Sequence, residues 1–437
     1  MNILLKIKYL AKFIYFFGSS ILGIFIFGYE KYFNKQSNCD KICLAILNSG
    51  TVMVKLAQWI SCTEKNIPAL LRSSLNRLQS TVPKPQSRPK VSTDLIEFVY
   101  PEIIGSGSIA SVYKCKLKDK DGEYVIKILD ENRLELLKNN IENIKCLVNI
   151  LKYFINLDSL CFDVESILNQ MLEQCDLNKE YENGLKMKEL FKNCPFVIIP
   201  NVVDSGSNWI IQEYVQGYNY ETIRKDYPEL IGDYATKIFC VFINMVYDFR
   251  FLHADLHDGN TMYQINTHKP ENSKIILLDF GFCIDYTDSL VDALEKLQAG
   301  VILEDVETIS KYTPIFFEKN TLSINTIRQF WTDQLINGLT PERFVPENIP
   351  KVLLKLCNQN GVVFNKYVFY WILNHQMLMK NVYYIDEFGE KMKFSIVPAG
   401  IRLLQNETWN VTSRFVSEKS PIFTAYEKRK KRLFAYY

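Results

Sequence analysis

Apolar residues recur along this chain with two different spacings, and the change of spacing separates two kinds of secondary structure. Short apolar runs, which are typical of buried strands, occur at 124–129, 196–203 and 209–215. Apolar residues recur every three or four positions, as on one face of a helix, at 134–151, 287–303, 324–339 and 367–385. The pattern predicts an α+β chain whose strands lie mostly in its first half and whose second half is mainly helical.

One polar turn interrupts the helical second half, between short apolar strands at 251–253 and 275–278. Asp255 and Asn260 keep the spacing of the kinase catalytic loop, and Asp279 opens an Asp-Phe-Gly triplet after the second strand. In phosphoryl transfer one Asp orients the attacking hydroxyl, while an Asn and a second Asp hold Mg²⁺ on the nucleotide phosphates. The sequence therefore predicts Asp255 as the catalytic residue and Asn260 and Asp279 as Mg²⁺ ligands. Two Asx-rich turns of an unrelated α/β protein are the alternative.

A glycine-containing hairpin precedes this turn in the sequence. Glycines let the main chain approach a phosphate, and exposed amides can donate to it. Lys127 lies in the apolar strand that follows, where a lysine is either a solvent-facing residue or a functional one. Because Lys127 follows the hairpin and precedes Asp255, we expect it to contact the α- and β-phosphates of ATP. The residues predicted to cover the nucleotide are Gly105, Ser106, Gly107, Ser108, Ile109, Ala110 and Val112.

A strand lysine of this kind needs a glutamate on a helix to hold it. The helical pattern at 130–192 offers Glu180, which we predict to pair with Lys127. Asp176, four positions earlier, is expected on the same helix face. A solvated acidic helix face is the alternative.

Two features concern the substrates. The strand at 209–215 has a polar exit, where main-chain groups from Glu213 to Val215 are expected to hold the adenine. No Ala-Pro-Glu triplet follows the Asp-Phe-Gly triplet, so the usual platform for a peptide substrate is expected to be missing.

The N-terminal stretch 13–29 is apolar and carries no charge. As a helix it would be roughly 25 Å long, near the lower limit for crossing a bilayer. It predicts a single retained membrane anchor within residues 1–35; a buried or interfacial helix is the alternative. Residues 36–100 are predicted to form a helical extension, with Lys55 and Gln58 on one helix face and a Pro-rich linker at its end.

Composition narrows the class of protein. The 437 residues are 48% hydrophobic and 23% charged, as in a globular protein of two or three domains. A net charge of +2 gives no field that would favour nucleic acid. The 11 cysteines show no metal-ligand spacing and indicate reduced thiols in a reducing compartment. With the motifs, this organisation predicts a kinase-like N-lobe with a helical insert at 101–215 and a C-lobe at 216–437.

These motifs together resemble those of the UbiB/ADCK family of atypical protein-kinase-like proteins. Residues 253–260, His-Ala-Asp-Leu-His-Asp-Gly-Asn, are similar to the family's His-Ala-Asp-Pro-His-Pro-Gly-Asn. Lys-Leu-Ala-Gln at 55–58 resembles its Lys-x-Gly-Gln motif, with alanine for glycine. Gln-Cys-Asp at 174–176 resembles its Glu-x-Asp element, with glutamine for the first acid and Glu180 downstream. The Gly-Ser-Gly loop departs from the family's Ala-rich loop.

The resemblance implies a bilobal protein-kinase-like fold that binds ATP and Mg²⁺ and whose N-terminal extension folds over the active site. Lys55, Gln58 and Asp176 would then regulate access to that site. The implied activity is that of an ATPase, or of a kinase for a small molecule or lipid, linked to quinone and lipid metabolism. Family members are membrane-associated and often mitochondrial or bacterial, which makes a mitochondrial membrane one candidate location. A nucleotide-binding pseudokinase scaffold and a true protein kinase stay open as alternatives.

Overall fold

The computed structural model describes the chain apart from residues 1–10, 12–13, 16, 21, 25, 50–51, 55–56, 58–67, 78–93, 107–108, 152–163, 319–321, 338–347, 387–416, 418 and 435–437. The chain divides into two compact units. The first comprises Met1–Leu157, Val164–Leu185 and Pro200–Val215, and the second comprises Asp158–Asp163, Lys186–Ile199 and Gln216–Tyr437.

The described strands, in chain order, are β1 Ile96–Ser106, β2 Ala110–Leu117, β3 Lys120–Leu129, β4 Val197–Ile198, β5 Val202–Ser205, β6 Trp209–Glu213, β7 Phe251–His253, β8 Thr261–Gln264, β9 Lys274–Leu277 and β10 Cys283–Asp285. The described α-helices are α1 Tyr29–Phe33, α2 Gln36–Asn48, α3 Ala69–Arg77, α4 Glu131–Leu151, α5 Val164–Glu173, α6 Leu177–Leu190, α7 Tyr220–Asp226, α8 Ile231–Ile243, α9 Asp288–Leu303, α10 Val306–Tyr312, α11 Ile324–Asn337, α12 Asn348–Asn360, α13 Lys366–Asp386 and α14 Pro421–Phe434.

The first unit is built on a five-stranded antiparallel sheet in the order β1-β2-β3-β6-β5. One face of this sheet buries an apolar cluster that includes Ile126 and Ile128 of β3. Lys127 lies between them and points to the opposite face, because side chains alternate along a strand. Its cross-strand neighbour Ile210 packs there with Leu177 of α6. The sheet therefore presents Lys127 on the face that α6 covers.

The N-terminal part of the first unit has a small apolar core of its own. Tyr32 lies in this core, and its hydroxyl donates to Ser20 Oγ at 3.2 Å. Apolar residues of the segment before it are more than half exposed: Ile14, Tyr15, Leu22, Ile26 and Phe27. Lys55, Gln58 and part of the predicted anchor lie outside the described residues.

The second unit contains two small sheets among helices. One has the order β4-β9-β8, with β4 parallel and β8 antiparallel to β9. The other pairs β10 with β7 in antiparallel register. Asp255 follows the end of β7 and Asp279 follows the end of β9, so short strands support both acidic turns.

Within the described part of the chain, one segment is long and apolar enough to cross a bilayer. It runs from Pro228 to Asp248 and contains α8 and the π-helical turn Asn244–Asp248. Because 83% of its apolar window is buried inside the protein, as is usual for a core helix, it is only weak evidence of membrane association.

The apolar run at 196–203 does not form the single strand that the sequence predicts. Pro200 has no amide hydrogen to donate to a strand ladder. The chain forms β4 before this proline and β5 after it, and the two strands belong to different sheets.

Candidate functional site

Lys127 of β3 and Glu180 of α6 form a buried ion pair in the first unit. The Lys127 Nζ lies 2.7 Å from Glu180 Oε2 and 3.0 Å from Oε1. The lysine side chain is 17% exposed and the glutamate side chain 0%. Leu177, at the start of α6, anchors the helix to this face of the sheet beside Ile210. One turn later the same helix brings Glu180 to Lys127.

Asp176 directly precedes α6, one turn before Glu180, whose amide donates to Asp176 O at 3.1 Å. Its Oδ1 accepts from Asn178 N at 3.0 Å and from Lys179 N at 3.3 Å, and the residue is exposed. Aspartate is favoured at this position because its carboxylate satisfies amides that the first helical turn leaves unpaired. Asp176 therefore caps α6, a role that the sequence analysis did not predict.

The glycine hairpin is described in part, because Gly107 and Ser108 lie outside the described residues. Gly105 pairs with Val112 across the β1–β2 ladder. A Cβ atom added at Gly105 would lie 3.6 Å from Val112 Cβ, which is an ordinary contact. Packing within the first unit therefore does not require glycine at this position.

The predicted adenine-binding segment is joined to the sheet of the first unit. The Glu213 amide donates to Asn201 O at 2.8 Å, and its Oε2 accepts from Asn201 Nδ2 at 2.8 Å. The Tyr214 amide donates to Glu123 O at 2.9 Å. These amides are committed to the protein, so any contact of this segment with adenine would come from Val215 or from carbonyl groups.

In the second unit, hydrogen bonds close the Asp255 turn on itself. His257 N donates to Asp255 O at 3.0 Å, and Asn260 N donates to His257 O at 2.8 Å. The Asn260 Nδ2 also donates to Asp255 O, at 2.9 Å. Asp255 and Asn260 are each 8% exposed. The five-residue spacing thus brings the Asn260 side chain back to the main chain of Asp255.

His253 links the two acidic turns of the second unit. Its Nδ1 accepts from Asp255 N at 3.3 Å, and its Nε2 lies 3.0 Å from Leu278 O. With Nδ1 as acceptor, Nε2 carries the hydrogen of a neutral ring and donates to Leu278 O. Burial lowers the pKa of His253 and favours this neutral form. Leu278 N also donates to Asn260 O at 2.9 Å, so the Asp255 turn and the strand end before Asp279 are tied twice.

Asp279 has a left-handed backbone with φ 58°. Its Oδ1 accepts from Gly281 N at 3.3 Å, a local bond that helps aspartate to adopt this conformation. The next residue, Phe280, is 1% exposed and its ring centroid lies 5.6 Å from that of His253. A buried aromatic side chain therefore fixes the triplet while Asp279 stays half-buried.

The donor atoms in the second unit fit Mg²⁺. Asn260 Nδ2 donates to Asp255 O, so its amide oxygen points away from that contact. Mg²⁺ prefers oxygen ligands and often takes only one or two carboxylates from the protein, with substrate phosphates and water completing its shell. No group of three or more His, Cys, Asp or Glu with metal-site geometry occurs among the described residues, and an Asn–Asp pair does not need one.

The motifs did not reveal one buried residue that supports the catalytic turn. Asn374 of α13 is 0% exposed, and its Oδ1 accepts from Leu256 N at 2.9 Å. Its Nδ2 donates to Tyr370 O, also at 2.9 Å, which fixes the amide orientation. A polar pair, Asn374-His375, inside an apolar helical stretch was the only signal in the sequence.

A strand lysine held by a helix glutamate, an Asp–Asn turn and an Asp-Phe-Gly turn together define a protein-kinase-like domain. A family model described as the ABC1 atypical kinase-like domain matches residues 83–313. The chain therefore belongs to this family, which confirms the UbiB/ADCK resemblance. A kinase-like domain of mixed helices and antiparallel sheet is likewise confirmed.

The relatives carry different kinds of name. The "Probable protein kinase UbiB" of Histophilus somni is 26% identical over 274 residues, 57% of this chain and 49% of that protein. The "Putative ABC transporter A445L" of Paramecium bursaria Chlorella virus 1 is 27% identical over 263 residues, 60% of this chain and 54% of the viral protein. The chain spans about half the length of the curated relatives it matches.

One solved structure is similar at a greater distance. The complex of Rv3197 with erythromycin from Mycobacterium tuberculosis has 18% identity and a TM-score of 0.43, and the alignment covers 62% of this chain and 76% of that chain.

Proposed function

We propose that this chain is an ATP-binding atypical kinase or ATPase that uses Mg²⁺ and transfers a phosphoryl group to a small molecule or lipid. The buried pair of Lys127 and Glu180 carries this proposal. Apolar residues of similar volume often stabilise a protein as well as a buried ion pair does, so such a pair is weak evidence of a stabilising role. Its presence on an apolar sheet face therefore favours a functional role, in which Glu180 holds Lys127 for the α- and β-phosphates.

Bound ATP and Mg²⁺ would supply the phosphoryl group and the positive charge that stabilises its transfer. Asp255 accepts a hydrogen bond from the attacking hydroxyl or water and orients it. Asn260 and Asp279 hold the cation through their side-chain oxygens. The hairpin glycines leave room for the main chain to approach the phosphates, and Gly105 supports this role because packing does not require it.

We extend the proposal to the organisation of the chain. Residues 101–215 form the N-lobe, 216–437 the C-lobe, and 36–100 an extension whose Lys55 and Gln58 limit access to the site. The missing Ala-Pro-Glu triplet supports a small molecule or lipid over a peptide as acceptor. A link to quinone or lipid metabolism follows from the family alone.

Membrane association is part of the proposal and rests on the N-terminal segment. Leu22 and Ile26 are 59% and 61% exposed there, without any charge between Phe13 and Tyr29. The variant Leu22→Glu/Ile26→Glu should lose co-sedimentation with phospholipid vesicles, whereas Phe98→Glu, at another exposed apolar residue, should keep it. Equal binding by the first variant and the wild type would contradict this part of the proposal.

Nucleotide binding tests the core of the proposal. Thermal unfolding would be measured with and without ATP and Mg²⁺ for the wild type, Lys127→Ala and Asp279→Asn. Ligand at 100 times its dissociation constant should add about 2.7 kcal/mol of apparent stability. Lys127→Ala should weaken the stabilisation by ATP. In Asp279→Asn, the stabilisation by ATP should no longer depend on Mg²⁺. Asp226→Asn, an exposed aspartate at the end of α7, is the matched control.

Turnover separates an enzyme from a scaffold. Asp255→Asn should bind Mg-ATP as the wild type does and lose ATP hydrolysis or acceptor phosphorylation. A wild type that binds Mg-ATP without any turnover would favour the pseudokinase scaffold. Asp255-dependent phosphorylation of peptides would favour a protein kinase. A well-folded wild type without a Mg²⁺-dependent response to ATP would contradict the proposal as a whole.

A further inference from the structure

His257 lies two residues after Asp255, and the proposed mechanism gives it no role. Its Nε2 is 3.9 Å from Asp255 Oδ2. The His257 side chain is 31% exposed and the Asp255 side chain 11%. The imidazole thus stands at the border of the buried catalytic turn, with one nitrogen facing the carboxylate.

The orientation of this ring is defined by its other nitrogen. Gly259 N donates to His257 Nδ1 at 2.9 Å. A nitrogen that accepts a hydrogen bond carries no hydrogen, so the neutral ring bears its hydrogen on Nε2. Nε2 is therefore a donor, and it faces a carboxylate that can only accept when ionised.

Gly259 makes room for the ring. A Cβ atom at Gly259 would lie 2.8 Å from His257 Cε1 and 2.9 Å from Nδ1, closer than side chains tolerate. The backbone of Gly259 does not have a positive φ, so its conformation does not require glycine. The main chain of His257 is held on both sides, by Asp255 O at 3.0 Å and by Asn260 N at 2.8 Å. The absence of a side chain at Gly259 and the two main-chain hydrogen bonds of His257 therefore keep this ring beside Asp255.

We propose that His257 is a positioning residue for Asp255. Its Nε2–H donates to Asp255 Oδ2 when the substrates are bound and so turns Oδ1 toward the attacking hydroxyl or water. The present 3.9 Å separation is too long for a hydrogen bond. Catalytic hydrogen bonds are often long without substrates and shorten in the reactive complex. This inference rests on the proposed phosphoryl-transfer function.

A matched pair of substitutions tests the donor. Asn can place its side-chain oxygen where Nδ1 is, and so keep the bond from Gly259, but it does not reach Asp255. Gln can place its amide nitrogen where Nε2 is, and so keep the donor to Asp255. We expect His257→Asn to lower kcat about 10- to 100-fold, because Asp255 is then mispositioned. His257→Gln should stay within about threefold of the wild type, with the KM for ATP unchanged in both variants.

A double-mutant cycle shows whether His257 acts through Asp255. Asp255→Asn should leave only a low residual rate of turnover, and adding His257→Asn should not lower this residual rate further, because the carboxylate that His257 positions is absent. Gly259→Ala should resemble His257→Asn, because the added Cβ displaces the ring. Thermal unfolding of each variant establishes that it is folded, and retained Mg-ATP binding shows that the nucleotide site is intact.

The outcomes distinguish this inference from the proposed function. An active wild type with equal kcat for His257→Asn and His257→Gln overturns the role of the Nε2 donor and leaves the proposed function in place. Independent, multiplicative losses in the double-mutant cycle overturn it as well. Absence of turnover in a wild type that is folded and saturated with Mg-ATP overturns both.

Discussion

Glu180 Oε2 lies 2.7 Å from Lys127 Nζ, although the two residues are 53 positions apart in the sequence. The described helices α4 and α5 lie between the strand and the helix that carry them. The insertion does not disturb the pair, because Leu177 anchors the start of α6 to the sheet face on which Lys127 lies. The pair therefore depends on the packing of one helix turn and not on closeness in sequence.

Removing the lysine alone should destabilise the first unit. Lys127→Met leaves the buried Glu180 carboxylate without its cation, and we expect a loss of about 3 kcal/mol in the free energy of unfolding. Replacing both residues, as Lys127→Met/Glu180→Leu, should recover most of this loss. Urea denaturation of these two variants, of Glu180→Leu and of the wild type gives the double-mutant cycle for the pair.

An exposed ion pair serves as the control. Lys179 and Glu173 are 2.8 Å apart, with side chains 41% and 54% exposed. Lys179→Met should cost at most about 1 kcal/mol. If the losses in unfolding free energy from Lys127→Met and Glu180→Leu simply added in the double variant, the two residues would not be coupled.

Asn374 should affect turnover although it lies outside the catalytic motifs. Asn374→Leu removes the acceptor of the Leu256 amide and leaves a buried donor unsatisfied, at about 1–3 kcal/mol. Because Leu256 directly follows Asp255, we expect kcat to fall as well. Asn374→Asp keeps Oδ1 and should retain more activity than Asn374→Leu.

Asn360 of α12 is the matched control for this helix-borne amide. Its Nδ2 donates to Leu356 O at 2.8 Å, away from the catalytic turn. Asn360→Ala should lower stability without changing kcat. A folded Asn374→Leu variant with wild-type kcat would show that the bond to Leu256 does not position Asp255.

Local patterns predicted the motif-bearing turns and the short strands before them. Asp255, Asn260 and Asp279 could be proposed because the spacing of Asp255 and Asn260 is short and an apolar strand precedes each of the two turns. Glu180 could be proposed across an insertion because few acidic helix positions were available. In each of these cases the necessary information lay within a few neighbouring residues.

Features that depend on capping or on distant packing were missed. Helical spacing predicted that Asp176 shares a face with Glu180, but it did not show that α6 begins after Asp176 and that the Asp176 carboxylate caps the helix. The bond from Leu256 to Asn374 joins residues 118 positions apart, and no motif covers α13. Gly259 was part of a motif, but its steric reason required the position of the His257 ring.

Alkaline pH should weaken the sheet of the first unit through Cys115. Burial raises the pKa of this thiol to about 11. The folded protein therefore keeps its proton between the unfolded pKa, near 9, and pH 11, while the unfolded chain loses it, so stability falls as pH rises above 9. At pH 10 the loss from this thiol should be about 1 kcal/mol.

Cys115→Ala isolates this contribution, because alanine has no titratable group. The difference in unfolding free energy between the wild type and Cys115→Ala should shrink by about 1 kcal/mol from pH 8 to pH 10. A difference at Cys115 that is independent of pH would contradict the protonated buried thiol.

Substitutions at Asp279 separate its backbone role from its proposed metal role. Its φ of 58° costs about 1–2 kcal/mol for most residues, little for asparagine and least for glycine. Asp279→Ala and Asp279→Gly both lose the bond from Gly281, so the difference between their stabilities measures backbone strain. We expect Asp279→Ala to be about 1 kcal/mol less stable than Asp279→Gly. The stability of Asp279→Asn should lie between those of these two variants or above that of Asp279→Gly.

All three variants should lose the Mg²⁺-dependent stabilisation by ATP, because each lacks the carboxylate. If Asp279→Gly kept that dependence, the cation would have to be held by other oxygens, and the assignment of Asp279 as a ligand would be wrong.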